Sequence, residues 1–565
     1  MDSKKVAIQY RPRLRQPQRP PLASKRREPN DVSAIDSSLQ AEFGVKVDKA
    51  AAIHDIMRYT TGAPDLRLWK IWADESGQAM DWMCSMLDSY DVPVFLESDL
   101  GSEDMVFEDW PVGHGFDSTA DGTEALLSHV AGLGVEVRYS TPMVRLVHEE
   151  GGPVTGVVAR DVDGNYVQLD AAKGVLLATG GYATNDDMLR ALVPGPLRQC
   201  VKKETTPSQM GDGIKAALWA GAAMDEDGTV MSFERGLVPF GPEFDGPVPD
   251  SPIWWVGSQP FLRVTRRGER FSNESTPYDF SNYAIRTRHD NTWVQIFDAN
   301  WQEQVAQFKT VGCSRIVDPG TMPGWTPTIP MAANEGMLGG YVEAGLIQQA
   351  DSIEELAEKC GMDPAVLCGT VDRYNELVEK GVDEDFYKES SRLAPIDTPP
   401  FYAARVGGML LATLNGLSVN ANLEVADKRG DAIGGLFANG NDCGGTYAHV
   451  YPSRFTGLHM GRTLSSLGTS PTNWRRSKGR QRFAPTVSPT DKTARRPGGP
   501  PLRGGIFARD GGRSRRLRRA QCDFMRVKPL SSSPLTSAMR LTCIRRARGP
   551  SPAAPLLRLD FAAAV

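Results

Sequence analysis

The chain has 565 residues, 40% hydrophobic and 24% charged, so its length admits several domains and a large core. No run of eighteen apolar residues is present to span a bilayer, and the polar, Pro/Arg-rich first forty residues lack the apolar stretch of a secretory signal, so a cytoplasmic location is expected. The net charge of −5 hides an asymmetry: residues 471–565 hold 22 Lys/Arg against 4 Asp/Glu, a charge of +18 that leaves −23 for residues 1–470. The acidic body excludes nucleic acid as its partner, and only the tail, with GGRSRRLRRAQ at 511–521, could attract it electrostatically.

Residues 1–45 are expected to be disordered and Pro/Arg-rich. Helical periodicity begins near Ala50, and the segment 66–87 places Leu68, Ile71, Trp72, Met80, Trp82 and Met83 at helical spacing. The stretch 119–134 reads as a helix stopped by glycine. Then come VEVRYS, VRLVHEE and VTGVVARDVDGNYVQL, with Asp163-Gly164 marking a hairpin between alternating strands. A buried strand over 174–178 runs into the turn Thr179-Gly180-Gly181, whose paired glycines allow close approach to a ligand. This order fits an α/β nucleotide-binding domain. From about 232 the texture changes to Trp254, Trp255, turn-forming prolines, the strand FLRVT and helices within 350–380. The α/β pattern returns within 411–445. Residues 232–400 therefore read as a domain inserted between two nucleotide-binding segments, 46–231 and 401–470.

The tail, 471–565, reads as disordered and low in complexity, and its abrupt change of texture also fits a shifted reading frame. Eight cysteines are scattered without a CxxC pair, zinc or iron–sulfur spacing, or a CxxCH haem site. Cys84, Cys200, Cys313, Cys360 and Cys368 are expected to be reduced structural thiols.

Two glycine clusters carry candidate chemistry. GDGIKA, 211–216, has alanine in place of the final glycine of a dinucleotide loop and no strand before it, so Gly211 and Gly213 are expected to open a helix. In the cluster 434–457, LFAN ends at Gly440, Asn441 and Asp442, followed by Gly444 and Gly445. Small residues there would admit a flat ring, with Asn441 or Asp442 bonding its hydroxyls; a plain turn between core strands is the alternative.

Five pieces in order carry a resemblance: GVLLATGGYATN (174–185), GDGIKAALWAGA (211–222), RRGERFSNESTPY (266–278), TLNGLSVN (413–420) and IGGLFANGNDCGG with YPSRFTG (433–457). Across about 48–468 the chain resembles the flavoprotein family of fumarate reductase, urocanate reductase and 3-ketosteroid Δ1-dehydrogenase. The resemblance implies an α/β fold with FAD as cofactor, a discontinuous Rossmann-like FAD-binding domain and an inserted α+β capping domain. It implies hydride exchange between the flavin and an activated C=C or CH–CH bond of a small-molecule substrate, with an unidentified electron donor or acceptor. Implied cofactor contacts are Val144, Thr179, Gly180, Gly181, Gly440, Asn441, Asp442 and Gly457; implied catalytic residues are Tyr278, Arg454 and Tyr451.

Tyr278 stands where fumarate reductases keep a proton-donating arginine and ketosteroid dehydrogenases a tyrosine; packing of the cap is the alternative role. Arg454 stands where an arginine grips a substrate carboxylate; a surface ion pair is the alternative. Tyr451 matches a second catalytic tyrosine, although YPSRFTG departs from the steroid enzymes' glycine-richer loop. The histidine that dicarboxylate reducers carry is Ala412 here, and MSFERGLVPFG also lacks an expected histidine, which argues against fumarate itself. His449 and His459 are expected to be structural; Trp254 and Trp255 either line an apolar pocket or fill the cap core.

The family's N-terminal G-x-G-x-x-G, which sets a helix N-terminus against the pyrophosphate, has no counterpart in the first forty residues. The FAD domain is therefore expected to be N-terminally incomplete, without its first parallel strand and with exposed sheet edges. Two further readings stay open: a non-catalytic remnant acting at most as an interaction module, and a binder working through the basic tail.

Overall fold

The computed structural model describes residues 6–8 and 31–466, apart from 98–106, 108, 117–118, 206–207, 249, 289, 309–315 and 317–329. The basic tail and Cys313 lie outside the described residues. Helix and sheet are mixed, as an α/β fold with an added cap requires.

The disorder expected over 1–45 does not hold for 31–45. Val32–Ser33 is a buried strand paired antiparallel with Gly113–Phe116, and Ser37 and Gln40 form a capping box that starts the helix Ser38–Glu42. This segment is fixed by contact: a Cβ on Gly457 would come within 2.5 Å of Asp31 and Val32 backbone atoms. The long helix Leu66–Asp88 buries Leu68, Trp69, Trp72, Met80 and Met83, matching the apolar spacing, whereas Trp82 turns outward and meets His129 edge-on at 5.9 Å.

On the nucleotide-binding side, Val175–Leu177 pairs in parallel with Leu436–Ala438 of the strand Ala432–Ala438. Met143–Val147, Gly156–Arg160 and Tyr166–Asp170 form an antiparallel sheet, and its second turn holds Gly164 at φ 89° as the Asp-Gly pair requires. The helix Asp212–Trp219 starts at Gly211, which sits at φ 73°, so GDGIKA opens a helix. The first parallel strand was expected to be missing; Val6–Ile8 does pair in parallel with Glu136–Arg138, in a separate two-stranded sheet.

The cap is built on a six-stranded sheet whose centre is the strand Phe401–Thr413. Trp293–Phe297, Ile347–Ala350 and Val230–Leu237 pair with it antiparallel, and Cys200–Lys203 pairs with it in parallel. The boundaries expected at 231/232 and 400/401 thus cut through one sheet. Glycine makes the crossing possible: a Cβ on Gly408 would stand 2.9 Å from Gln199 O. Among the described residues no helix is long and apolar enough to cross a membrane.

Candidate active site

The parallel pairing of Val175–Leu177 with Leu436–Ala438 brings the two glycine clusters together at the strand ends. Gly180 and Gly181 turn at φ 90° and 77°, and Gly440 at φ 62°. Asp442 joins the clusters. Its buried carboxylate accepts from Thr179 N, from Thr179 Oγ1 at 2.8 Å and from Gly181 N at 3.1 Å. Burial raises its pKa, and these hydrogen bonds oppose the rise. The expected hydroxyl-binding role for Asp442 is replaced by an internal clamp, because both of its oxygens are occupied by the turn.

Asn441 is placed differently. Its Nδ2 donates to Gly180 O at 3.3 Å, while its Oδ1 has no hydrogen-bond partner among the described residues. Thr446 Oγ1 and Arg462 Nε are likewise buried and unpartnered there. Above Gly440 there is room, since an added Cβ would meet nothing closer than Thr463 Cγ2 at 3.9 Å. Open glycine backbone beside unsatisfied polar atoms fits one side of FAD. Val144, on the strand Met143–Val147, is 38% exposed and presents an apolar surface. Gly457 serves the close approach to Asp31 and Val32 described above.

Tyr278 is the first residue of the helix Tyr278–Arg286. Its ring meets Phe233 edge-on at 5.2 Å, and the Arg235 guanidinium lies 5.9 Å from it. Arg235 is held by Ser258 Oγ at 2.8 Å and sits over Trp255 at 4.7 Å. Trp254 is core, with Nε1 donating to Gln295 Oε1 at 3.0 Å. The loop before Tyr278 is braced by buried charge. Arg270 bonds Glu274 at 2.8 Å and Asp383 at 2.7 Å, and Lys388 Nζ donates to Tyr374 Oη at 2.8 Å beside Glu274. Burial lowers the Lys388 pKa to about 8. Asp383 and Lys388 carry no local signal, since they lie in polar text over a hundred residues away from the loop they brace.

Arg454 is not a surface ion pair. Its side chain is only 13% exposed; Nη1 lies 3.2 Å from both oxygens of Asp109, and Nη2 donates to Ser275 O at 2.5 Å, three residues before Tyr278. Burial disfavours its charge, but the Asp109 carboxylate opposes that and the guanidinium pKa is raised. Tyr451 N donates to Asp279 at 3.1 Å, and its hydroxyl accepts from His459 N at 3.2 Å. His459 Nδ1 lies 3.3 Å from Tyr447 Oη, and burial lowers its pKa to about 3, which keeps it neutral. The carbonyl of His449 accepts from Tyr283 Oη at 2.8 Å.

Asp279, missed in the sequence, joins cap to flavin side: it accepts from Ser232 Oγ at 2.8 Å and from Tyr451 N. Burial raises its carboxyl to about 7, with Glu234 adding to the rise and the hydrogen bonds opposing it. A carboxyl whose pKa is higher folded than unfolded stabilises fully below its unfolded value, and that contribution is lost as pH rises through the folded value. Between about pH 4 and pH 7, the wild type should therefore lose stability relative to Asp279→Asn, as urea midpoints measured across that range would show. Parallel midpoints would remove Asp279 as the titrating group.

A surface cleft of about 780 Å³, lined by residues including Arg198, Asp245 and Arg286, lies at the other end of the helix from Tyr278. Tyr278 and Arg454 are linked through the loop that ends at Tyr278, whose Ser275 carbonyl accepts from Arg454 Nη2.

Comparison with known proteins bears on the family and the fold. The chain is 27% identical over 440 residues to a vinyl phenol reductase of Lactiplantibacillus plantarum, covering 77% of this chain and 85% of that protein. It is 25% identical over 394 residues to a fumarate reductase (cytochrome) of Shewanella frigidimarina, covering 70% of this chain and 61% of the relative. The fold is shared with 3-ketosteroid Δ1-dehydrogenase from Sterolibacterium denitrificans, with a TM-score of 0.59 at 19% identity, covering 79% of this chain and 92% of that one. The FAD binding domain family matches residues 34–458, and the chain belongs to that family.

Proposed function

We propose that this protein is an FAD-dependent oxidoreductase that reduces the activated C=C bond of a small conjugated substrate, with an external electron donor. The observation that carries the reading is the link between Tyr278 and Arg454: the guanidinium donates to the carbonyl of Ser275, three residues before Tyr278 in the loop that delivers it. FAD, when bound, supplies the hydride. Gly180, Gly181, Gly440 and Asn441 would hold it, with Thr446 and Arg462 as further contacts.

The Tyr278 hydroxyl donates the proton to the carbon next to the one that receives the hydride. Arg454 then stabilises the phenolate left on Tyr278, and it also binds an acceptor group of the substrate. Asp109 holds the guanidinium in place. The cap contributes Phe233 and Trp255 beside Arg235, an aromatic lining suited to a planar conjugated molecule rather than a compact dicarboxylate. Ala412, in place of a histidine, points the same way.

The test is the full-length chain incubated with FAD and assayed with reduced methyl viologen against cinnamate, 4-vinylphenol, fumarate and a 3-ketosteroid. Turnover of cinnamate or 4-vinylphenol above the other two supports the reading; no flavin-dependent turnover of any of them overturns it. Arg454→Lys should raise KM for a carboxylate substrate about tenfold, because an ammonium cannot keep the Asp109 and Ser275 contacts while also donating to the substrate. An unchanged KM would show that Arg454 does not touch the substrate.

A further inference from the structure

Tyr59 ends the helix Lys49–Tyr59 and is 5% exposed. Its hydroxyl is buried and has no hydrogen-bond partner among the described residues. Phenol hydroxyls in protein interiors normally find one, and leaving one unpaired is costly. The Tyr59 phenol is electrostatically coupled to Arg454, and burial raises its pKa strongly, so it stays a protonated donor. Arg454 has its own unsatisfied donor: its Nη atoms are bound to Asp109 and Ser275, but Nε is buried and unpartnered. Ser275 Oγ, on the residue whose carbonyl Arg454 holds, is also buried without a partner.

The Tyr59 ring belongs to an aromatic group. Its centroid lies 6.0 Å from Phe107 and 6.0 Å from Phe280, and those two meet edge-on at 5.3 Å. Phe280 is two residues beyond Tyr278 on the same helix. One place therefore combines the candidate proton donor, unsatisfied buried donors and a wall of rings contributed by three chain segments.

We infer that Tyr59 is a substrate-binding residue: its hydroxyl and Arg454 Nε donate to an acceptor oxygen of the substrate, while its ring, with Phe107 and Phe280, selects an aryl-substituted alkene over an unsubstituted one. This rests on the proposed alkene reduction but is separable from it. A carboxylate suits the site, since its two oxygens accept several hydrogen bonds at once. The substrate class is an arylacrylate, with its carboxylate at Arg454 and Tyr59 and its ring on the aromatic wall.

The experiment measures binding by calorimetry, with cinnamate and acrylate as probes, to the full-length chain incubated with FAD. The wild type should bind cinnamate at least tenfold more tightly than acrylate. Tyr59→Phe should weaken cinnamate binding five- to tenfold, yet leave the melting temperature of the ligand-free protein unchanged or raised, because it removes a buried hydroxyl that has no partner. Phe280→Leu should narrow the preference for cinnamate and leave acrylate affinity unchanged. A purely structural Tyr59 gives the opposite pattern, a lower melting temperature with unchanged affinity, and overturns the inference. Failure of the wild type to bind either probe also overturns it. If cinnamate binds in a Tyr59-dependent way but neither it nor 4-vinylphenol, fumarate or the 3-ketosteroid is reduced, the alkene-reductase reading falls and the binding role stands. If cinnamate is reduced with a KM indifferent to Tyr59→Phe, the reading stands and the binding role falls.

Discussion

Tyr278→Phe is expected to lower turnover by roughly 10²–10⁴-fold, the usual contribution of a positioned general acid, while leaving bound FAD in place. The substitution removes only the hydroxyl. The ring stays against Phe233, and the helix it begins is anchored independently, because Asp279 accepts from Ser232 Oγ at 2.8 Å and Phe280 packs on Phe107. The visible flavin spectrum and the melting temperature should thus match the wild type while kcat falls and KM for the alkene changes little. That split separates loss of proton delivery from loss of binding. A drop of less than about tenfold would show that another group or water delivers the proton, and the assignment of Tyr278 would fail.

The parts of the fold that were legible in the sequence are those with strong local signals. The Asp163-Gly164 hairpin, the helix opened by Gly211 and the strand leading into Thr179-Gly180-Gly181 each rest on one short pattern, and each is present. What escaped was set by long-range packing. Residues 31–45 look polar, yet Ser33, Ser37 and Gln40 are buried, because Ser37 and Gln40 cap each other and Ser33 Oγ accepts from Trp72 Nε1 at 2.9 Å. The partners of the strand Phe401–Thr413 were also not legible, because its apolar text carries no mark of which strands it will join. Asp442 was recognised by its neighbours, but its direction was not: a carboxylate after a glycine can face a ligand or fold back on a turn, and only the structure shows it receiving Thr179 and Gly181. Tyr59 and Asp279 lie in ordinary helical text, and their interest comes from burial beside Arg454 and Tyr451.

Asp442→Ala should be the most damaging single change on the flavin side, with a loss of at least about 3 kcal/mol in folding stability. The argument is one of unmatched donors. The carboxylate takes Thr179 N, Thr179 Oγ1 and Gly181 N, and each would be left without a partner in a site where Asp442 is fully buried. A buried donor stripped of its acceptor costs about 1–3 kcal/mol, so three such groups exceed the whole effect of an ordinary core substitution unless water enters. The second consequence concerns the cofactor. The turn held by Asp442 is the one that sets Gly180 and Gly181 at positive φ beside Asn441, so releasing it removes the open backbone proposed to face FAD. Asp442→Asn keeps one acceptor oxygen but sets an amide donor against backbone N–H groups, and it should fall between the two. Urea unfolding monitored by circular dichroism, together with the flavin absorbance retained after desalting, measures both effects on the same sample. Wild-type stability in Asp442→Ala would mean that the turn is fixed by strand pairing alone. Lost stability with flavin retained would mean that Gly180 and Gly181 do not form the cofactor's seat.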